Sequence, residues 1–225
     1  MRNRDAYRIY LLIEAATSLF FFIIVTVNSV YQVEVAKLNP LQLVLVGTVL
    51  EGTVFLCQIP TGVVADVFSR RLSVITGMFL IGVGFVLEGS IARFETILVA
   101  QVLWGLGYTF VSGAEEAWIA DEVGEDNVGQ IYLRGSQLGL VGALVGAIVS
   151  VILASIQINL PIVLGGAFYI VLGGFLVFVM PEHNFRPTAR EERSTWQAMG
   201  DTLLNGGRLV RRSPVLITIL VIAGF

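Results

Sequence analysis

The chain has 225 residues, 56% of them hydrophobic and only 14% charged, with 24 glycines and a mean hydropathy of +0.83. Soluble domains carry about 25% charged residues, so there is too little polar surface here to coat a body in water. A formal net charge of −3 argues against a nucleic-acid partner, which calls for a basic surface.

The single cysteine, Cys57, lies inside an apolar run, so no intrachain disulfide forms and no metal site is suggested. The single histidine, His183, falls in a polar linker. No metal and no cofactor are expected.

The chain starts polar, with Arg2 and Arg4, and becomes apolar from Ile9 to about Tyr31. A signal peptide has a shorter apolar core and a small-residue cleavage site. This run, roughly 25 residues, is long enough to span a bilayer with some tilt and reads as a retained first helix.

Six such stretches stand out, at approximately 7–31, 42–64, 72–91, 95–120, 130–156 and 160–180. Each is near or above the ~20 residues a helix needs to cross the hydrocarbon core. None alternates polar and apolar as the strands of a membrane barrel do. In lipid an isolated segment must satisfy its own backbone, so all six are predicted to be helices. The expected fold is an all-α membrane protein, a six-transmembrane-helix bundle over 1–180.

Orientation is read from basic residues. With the N-terminus inside, the inner segments hold Arg8, Arg70, Arg71 and the arginines from Arg186 to Arg212, whereas the outer loops hold only Lys37 and Arg93. Both ends of the six-helix set are therefore expected in the cytoplasm. After Pro181 a polar linker runs to Ser213. Within it Ser194 or Thr195 is suited to cap a short helix with Trp196, Met199 and Leu203 on one face. A new apolar run begins at Pro214 and reaches Phe225 after about twelve residues, too few to span. The expectation is a seventh helix cut short.

The most specific local pattern lies between the second and third stretches, in Gly62-Val-Val-Ala-Asp66-Val-Phe-Ser-Arg70-Arg71. A positive-inside turn alone accounts for the two arginines but not for the spacing of glycine and aspartate. The pattern resembles the signature loop of the major facilitator superfamily, Gly-x-x-x-Asp-x-x-Gly followed by two basic residues, with Ser69 in place of the second glycine. Six helices, a linker and the start of a seventh resemble the N-terminal half of such a transporter, of drug-exporter type, with a 3+3 inverted repeat.

The resemblance implies a conformational latch in this loop. Gly62 lets a neighbouring helix approach, Asp66 faces the amides of a helix N-terminus, and Arg70, beside Arg71, is expected to pair with Asp121 or Glu122 at the end of the fourth helix. The fifth stretch carries Gly135, Gly139, Gly142 and Gly146, small residues whose spacing lets helices pack closely in lipid. Drug/proton antiporters of the superfamily have a proline after one such glycine, but here Gly142 is followed by Ala143. Many also place an arginine in the fourth helix four residues before a glycine, where this chain has Gln101 before Gly105.

Ionisable groups inside the spans are costly and face an interior or an aqueous cavity. Glu14, Glu115, Glu116 and Arg134 fall in one inner layer, Glu51 near the midplane and Glu88 near the outer face. The first helix has a polar stripe of Tyr7, Tyr10, Glu14, Thr17 and Ser18. The resemblance puts helices one and four around the central cavity, which makes Glu14, with Tyr10 and Thr17, the leading candidate for binding substrate or a proton. The alternative is a Glu14 neutralised by a structural partner. One of Glu115 and Glu116 is expected to pair with Arg134 while the other faces the cavity. Glu51 serves either ion coupling or packing against the missing half. Glu88 is expected to be an outer-surface residue, and Asn28, Tyr31, Trp104, Tyr108 and Trp118 are candidates for the wall.

The functional expectation is a secondary active transporter in a bacterial-type inner membrane, exporting small amphipathic compounds by alternating access with proton coupling. Its partners would be lipid, a small-molecule substrate, protons, and a C-terminal six-helix half or a second copy. Uptake or facilitated diffusion of a small solute is one alternative. The other is a self-contained half that homodimerises or acts as a non-transporting scaffold. No clustered metal ligands, nucleophile elbow or phosphate loop points to an enzyme.

Overall fold

A computed structural model describes residues 2–187; the linker helix expected near Trp196 and the apolar run from Pro214 lie outside the described residues. Among the described residues seven helices follow one another: α1 (Arg2–Glu34), α2 (Pro40–Val67), α3 (Arg70–Ser90), α4 (Phe94–Val111), α5 (Ala114–Val123), α6 (Glu125–Ile156) and α7 (Leu160–Val179). No strand occurs among the described residues. They build six spans long and apolar enough to cross a membrane, α4 and α5 together forming the fourth.

Local chemistry sets the starts. Asn39 caps α2 through a reciprocal box: its Oδ1 accepts from Gln42 N at 2.9 Å while Gln42 Oε1 accepts from Asn39 N at 3.0 Å. Pro40 occupies the first turn, where its missing N–H costs nothing. Ser69 caps α3, its Oγ accepting from Leu72 N at 2.9 Å.

The fourth stretch departs from the continuous helix expected over 95–120. Gly113 takes φ 78, in the left-handed region where a side chain is strained, and the helix stops at Ser112 and restarts at Ala114. A broken helix leaves carbonyls without partners. One of these, Thr109 O, accepts from Thr61 Oγ1 of α2 at 3.0 Å.

Packing follows a repeat. The most extensive contacts are α1 with α6, α3 with α4, and α3 with α7, followed by α2 with α4 and α1 with α7. Exchanging the first three spans for the last three maps α1–α6 onto α4–α2 and α3–α4 onto α7–α1, and leaves α3–α7 unchanged. The contact pattern is that of two three-helix units.

Crossings are close because glycines meet backbone. A Cβ on Gly107 would lie 2.8 Å from Gly77 O, and one on Gly166 would lie 2.7 Å from Gly82 O. With an even number of spans, the start of α1 and the end of α7 emerge at the same end of the bundle, the end that carries the 62–71 turn. The other faces of α2 and α6 expose large apolar side chains, among them Phe55, Leu56, Leu140, Leu144 and Ile148, as a lipid-embedded or partnered bundle requires.

Candidate functional site

The α4–α5 break opens onto a cavity of about 290 Å³. Thr17, Ser18, Phe21 and Phe22 of α1 form one wall; Met78 and Ile81 of α3, Trp104, Tyr108 and Val111 of α4, and Tyr169 of α7 form the rest, with Glu115 as the one acid among the lining residues. Glu115 stands in the first turn of α5, where exposed amides favour negative charge. Its Oε1 is buried without a hydrogen-bond partner. The lining is thus largely aromatic and apolar, with one carboxyl and a few hydroxyls as its polar groups. Trp104 is fixed by ring contacts to Phe85 at 5.1 Å and Phe21 at 6.0 Å, and Tyr169 by donating to Thr17 O at 3.0 Å.

The polar stripe of α1 divides. Thr17 and Ser18 line the cavity, whereas Tyr7, Tyr10 and Glu14 run along the seam with α6. Tyr10 Oη donates to Glu14 Oε1 at 2.7 Å and its ring packs on Tyr132. All four glycines of the α6 stripe face α1: a Cβ would meet the Tyr10 ring at Gly135, Ser18 Oγ at Gly139, Ala15 O at Gly142 and Leu19 O at Gly146. Glu14 is thus held within this seam.

Arg134 does not pair with Glu115 or Glu116. It is exposed, and its Nη1 donates to Tyr7 Oη at 2.9 Å. The reason is the broken span: α5 starts afresh at Ala114, which turns Glu115 inward while Glu116 stays exposed. Glu51 is exposed on α2, a helix that buries few of its residues in this bundle.

At the other candidate region, the 62–71 turn, Arg70 bridges two acids. Its Nη1 bonds Asp121 Oδ2 and also donates to Ala117 O at 2.7 Å, and its Nη2 lies 3.6 Å from Asp66 Oδ1. Arg71 Nη2 donates to Val177 O at 2.6 Å. At Gly62 a Cβ would meet nothing within 4 Å, so the described residues bring no helix against it. Ser69, at φ −175, is extended backbone open to any residue, so the turn needs no glycine there.

The segment after α7 folds back over this region. Glu182 accepts from Ser69 Oγ at 2.6 Å and Arg71 N at 3.0 Å, Trp118 Nε1 donates to Pro181 O at 2.5 Å, and Glu122 Oε1 accepts the backbone N–H groups of His183 and Asn184. His183 is therefore tied down, its Nδ1 lying 3.5 Å from Glu122 Oε2.

The family model of the Major Facilitator Superfamily matches residues 9–225. The chain belongs to that superfamily. It is also similar to the uncharacterized MFS-type transporter YxaM of Bacillus subtilis (strain 168), 27% identical over 132 residues, or 59% of this chain and 33% of the relative. The chain thus covers about a third of that relative's length. As a superfamily member with six membrane-length apolar helices, it is an integral multi-pass membrane protein in a lipid environment.

Glu88 overturns its expected place in this superfamily fold. It is fully buried, 0% exposed, where α1, α3 and α4 meet. Gln32 Nε2 donates to its Oε1 at 2.9 Å and Gln101 Nε2 to its Oε2 at 3.0 Å, while Tyr31 Oη donates to its backbone carbonyl at 2.7 Å. From sequence the residue is expected on the outer surface, whereas the fold turns it inward between α1 and α4. The available signal was Gly84 and Gly89, which belong to the same crowded faces of α3 as Glu88.

Proposed function

We propose that this chain forms the N-terminal half of a secondary active transporter that exports small amphipathic organic solutes, coupled to protons, by rocking against a C-terminal half. The observation that carries the reading is the cavity: aromatic walls around a single acid, Glu115, whose Oε1 lacks a partner. Its volume of about 290 Å³ is just below the ~300–1,000 Å³ of small-molecule sites, as suits one wall of a pocket completed by a second half. The arginine asymmetry supports placing the 62–71 turn in the cytoplasm of a bacterial-type inner membrane.

In this reading Glu115 takes the role of binding carboxylate, and Glu14, seated one layer back in the α1–α6 seam, acts on it through space. Arg70, Asp66 and Asp121 form the latch, which breaks when the cytoplasmic side opens. Glu51 and the apolar faces of α2 and α6 face the second half. Reconstitution of the complete gene product in vesicles tests this. Glu115→Gln is expected to abolish gradient-driven flux of a lipophilic cation, and Trp104→Ala to raise its KM. Unchanged flux in Glu115→Gln would remove the carboxylate from the mechanism.

A further inference from the structure

Among the described residues Glu88 is the most deeply buried acid, and no cation pairs with it. The neutral amides of Gln32 and Gln101 donate to its carboxyl, and the Asn28 amide stands beside it. Among the described residues, α1 faces it with Asn28, Tyr31 and Gln32, and α4 with Gln101. From α7 come the apolar Ile162 and Val163, packed beside Gly89, and Asn159 Nδ2, which donates to Gly89 O at 3.0 Å. Tyr31 is the one titratable side chain in that set.

An ionised carboxylate buried without a counter-charge is strongly disfavoured, whereas a neutral acid is a tolerable guest if its O–H finds an acceptor. An acceptor is present: Asn28 Oδ1 is buried with no partner. A half-turn of the Asn28 amide exchanges its nitrogen for that oxygen at the carboxyl, giving the acid proton a place to go.

We propose that Glu88 is a proton-binding site, occupied in this conformation, with Asn28, Gln32 and Gln101 as its cradle. The proton comes from water and sits on a carboxylate oxygen; no other bond changes. The site deepens the proton-coupled reading above, yet it stands or falls on a measurement that needs no transport.

The test is infrared difference spectroscopy of the full-length protein in lipid vesicles at neutral pH, comparing wild type with Glu88→Gln. The expected result is a protonated-acid C=O band in wild type that Glu88→Gln abolishes. Loss of a carboxylate band instead, with the acid region unchanged, overturns the proposal. Should Glu88→Gln fail to fold, Glu88→Asp retains the acid and is expected to shift that same band. A band left unshifted by Glu88→Asp assigns the acid elsewhere and also overturns the proposal. Flux that ignores a pH gradient would refute proton coupling while leaving the infrared result intact, so the two failures are distinguishable.

Discussion

Two glycines on one helix are expected to respond with opposite sign to the same substitution. Alanine is favoured over glycine in a helix by about 0.8–1 kcal/mol. At Gly174, where a Cβ would meet nothing within 4 Å, that gain is unopposed. At Gly166, about two turns earlier on α7, the Cβ would fall 2.7 Å from Gly82 O and 2.8 Å from Val86 N. Both are backbone atoms, so α3 and α7 must separate, and overpacking of this kind costs typically about 1–3 kcal/mol.

Gly174→Ala should therefore stabilise by about 1 kcal/mol, while Gly166→Ala should lie about 1–3 kcal/mol below it. At the usual conversion for chains of this size, that difference separates the two melting midpoints by roughly 2–12 °C. Thermal unfolding in detergent, followed by circular dichroism, measures the separation. Equal midpoints, or a higher one for Gly166→Ala, would refute the claim that glycine sets the α3–α7 distance.

Other substitutions test the opposite end of the bundle. Ser69→Ala removes the cap on α3 and should cost about 1 kcal/mol, a fall of roughly 2–4 °C in the same assay, with Ser69→Gly milder. Trp118→Phe keeps the ring but loses the bond to Pro181 O, and limited proteolysis should then cut faster between Pro181 and Arg186. Asp121→Asn leaves Arg70 with one weaker partner in place of an ion pair. The expected outcome in a cysteine-accessibility assay is greater labelling of positions around the 62–71 turn.

The spans were legible because membrane length and apolarity need no tertiary knowledge, and the 62–71 turn because its spacing is rare. What escaped depended on rotation about helix axes. Glu88 lies on a helix whose several glycines face different neighbours, and depth alone could not say which side held the acid. Arg134 was assigned Glu115 or Glu116 by depth, but the partner was decided by the restart at Ala114, which rests on the φ of Gly113. In sequence the α1 stripe forms a single polar face. In the fold it has two, because α6 presents glycines that let Tyr10 and Glu14 sink into the seam while Thr17 and Ser18 remain at the opening.

The Glu182 carboxylate, seated on Ser69 and on the amide of Arg71, joins positions separated by 113 and 111 residues. During synthesis the N-terminus of α3 enters the membrane long before its acidic partner exists. The turn that begins α3 must therefore remain provisional until the sixth span has been made and the segment after it has folded back, so completion of that span is also the event that closes the second loop. A nascent chain halted at residue 181 would hold the six described spans and still lack a finished α3 terminus.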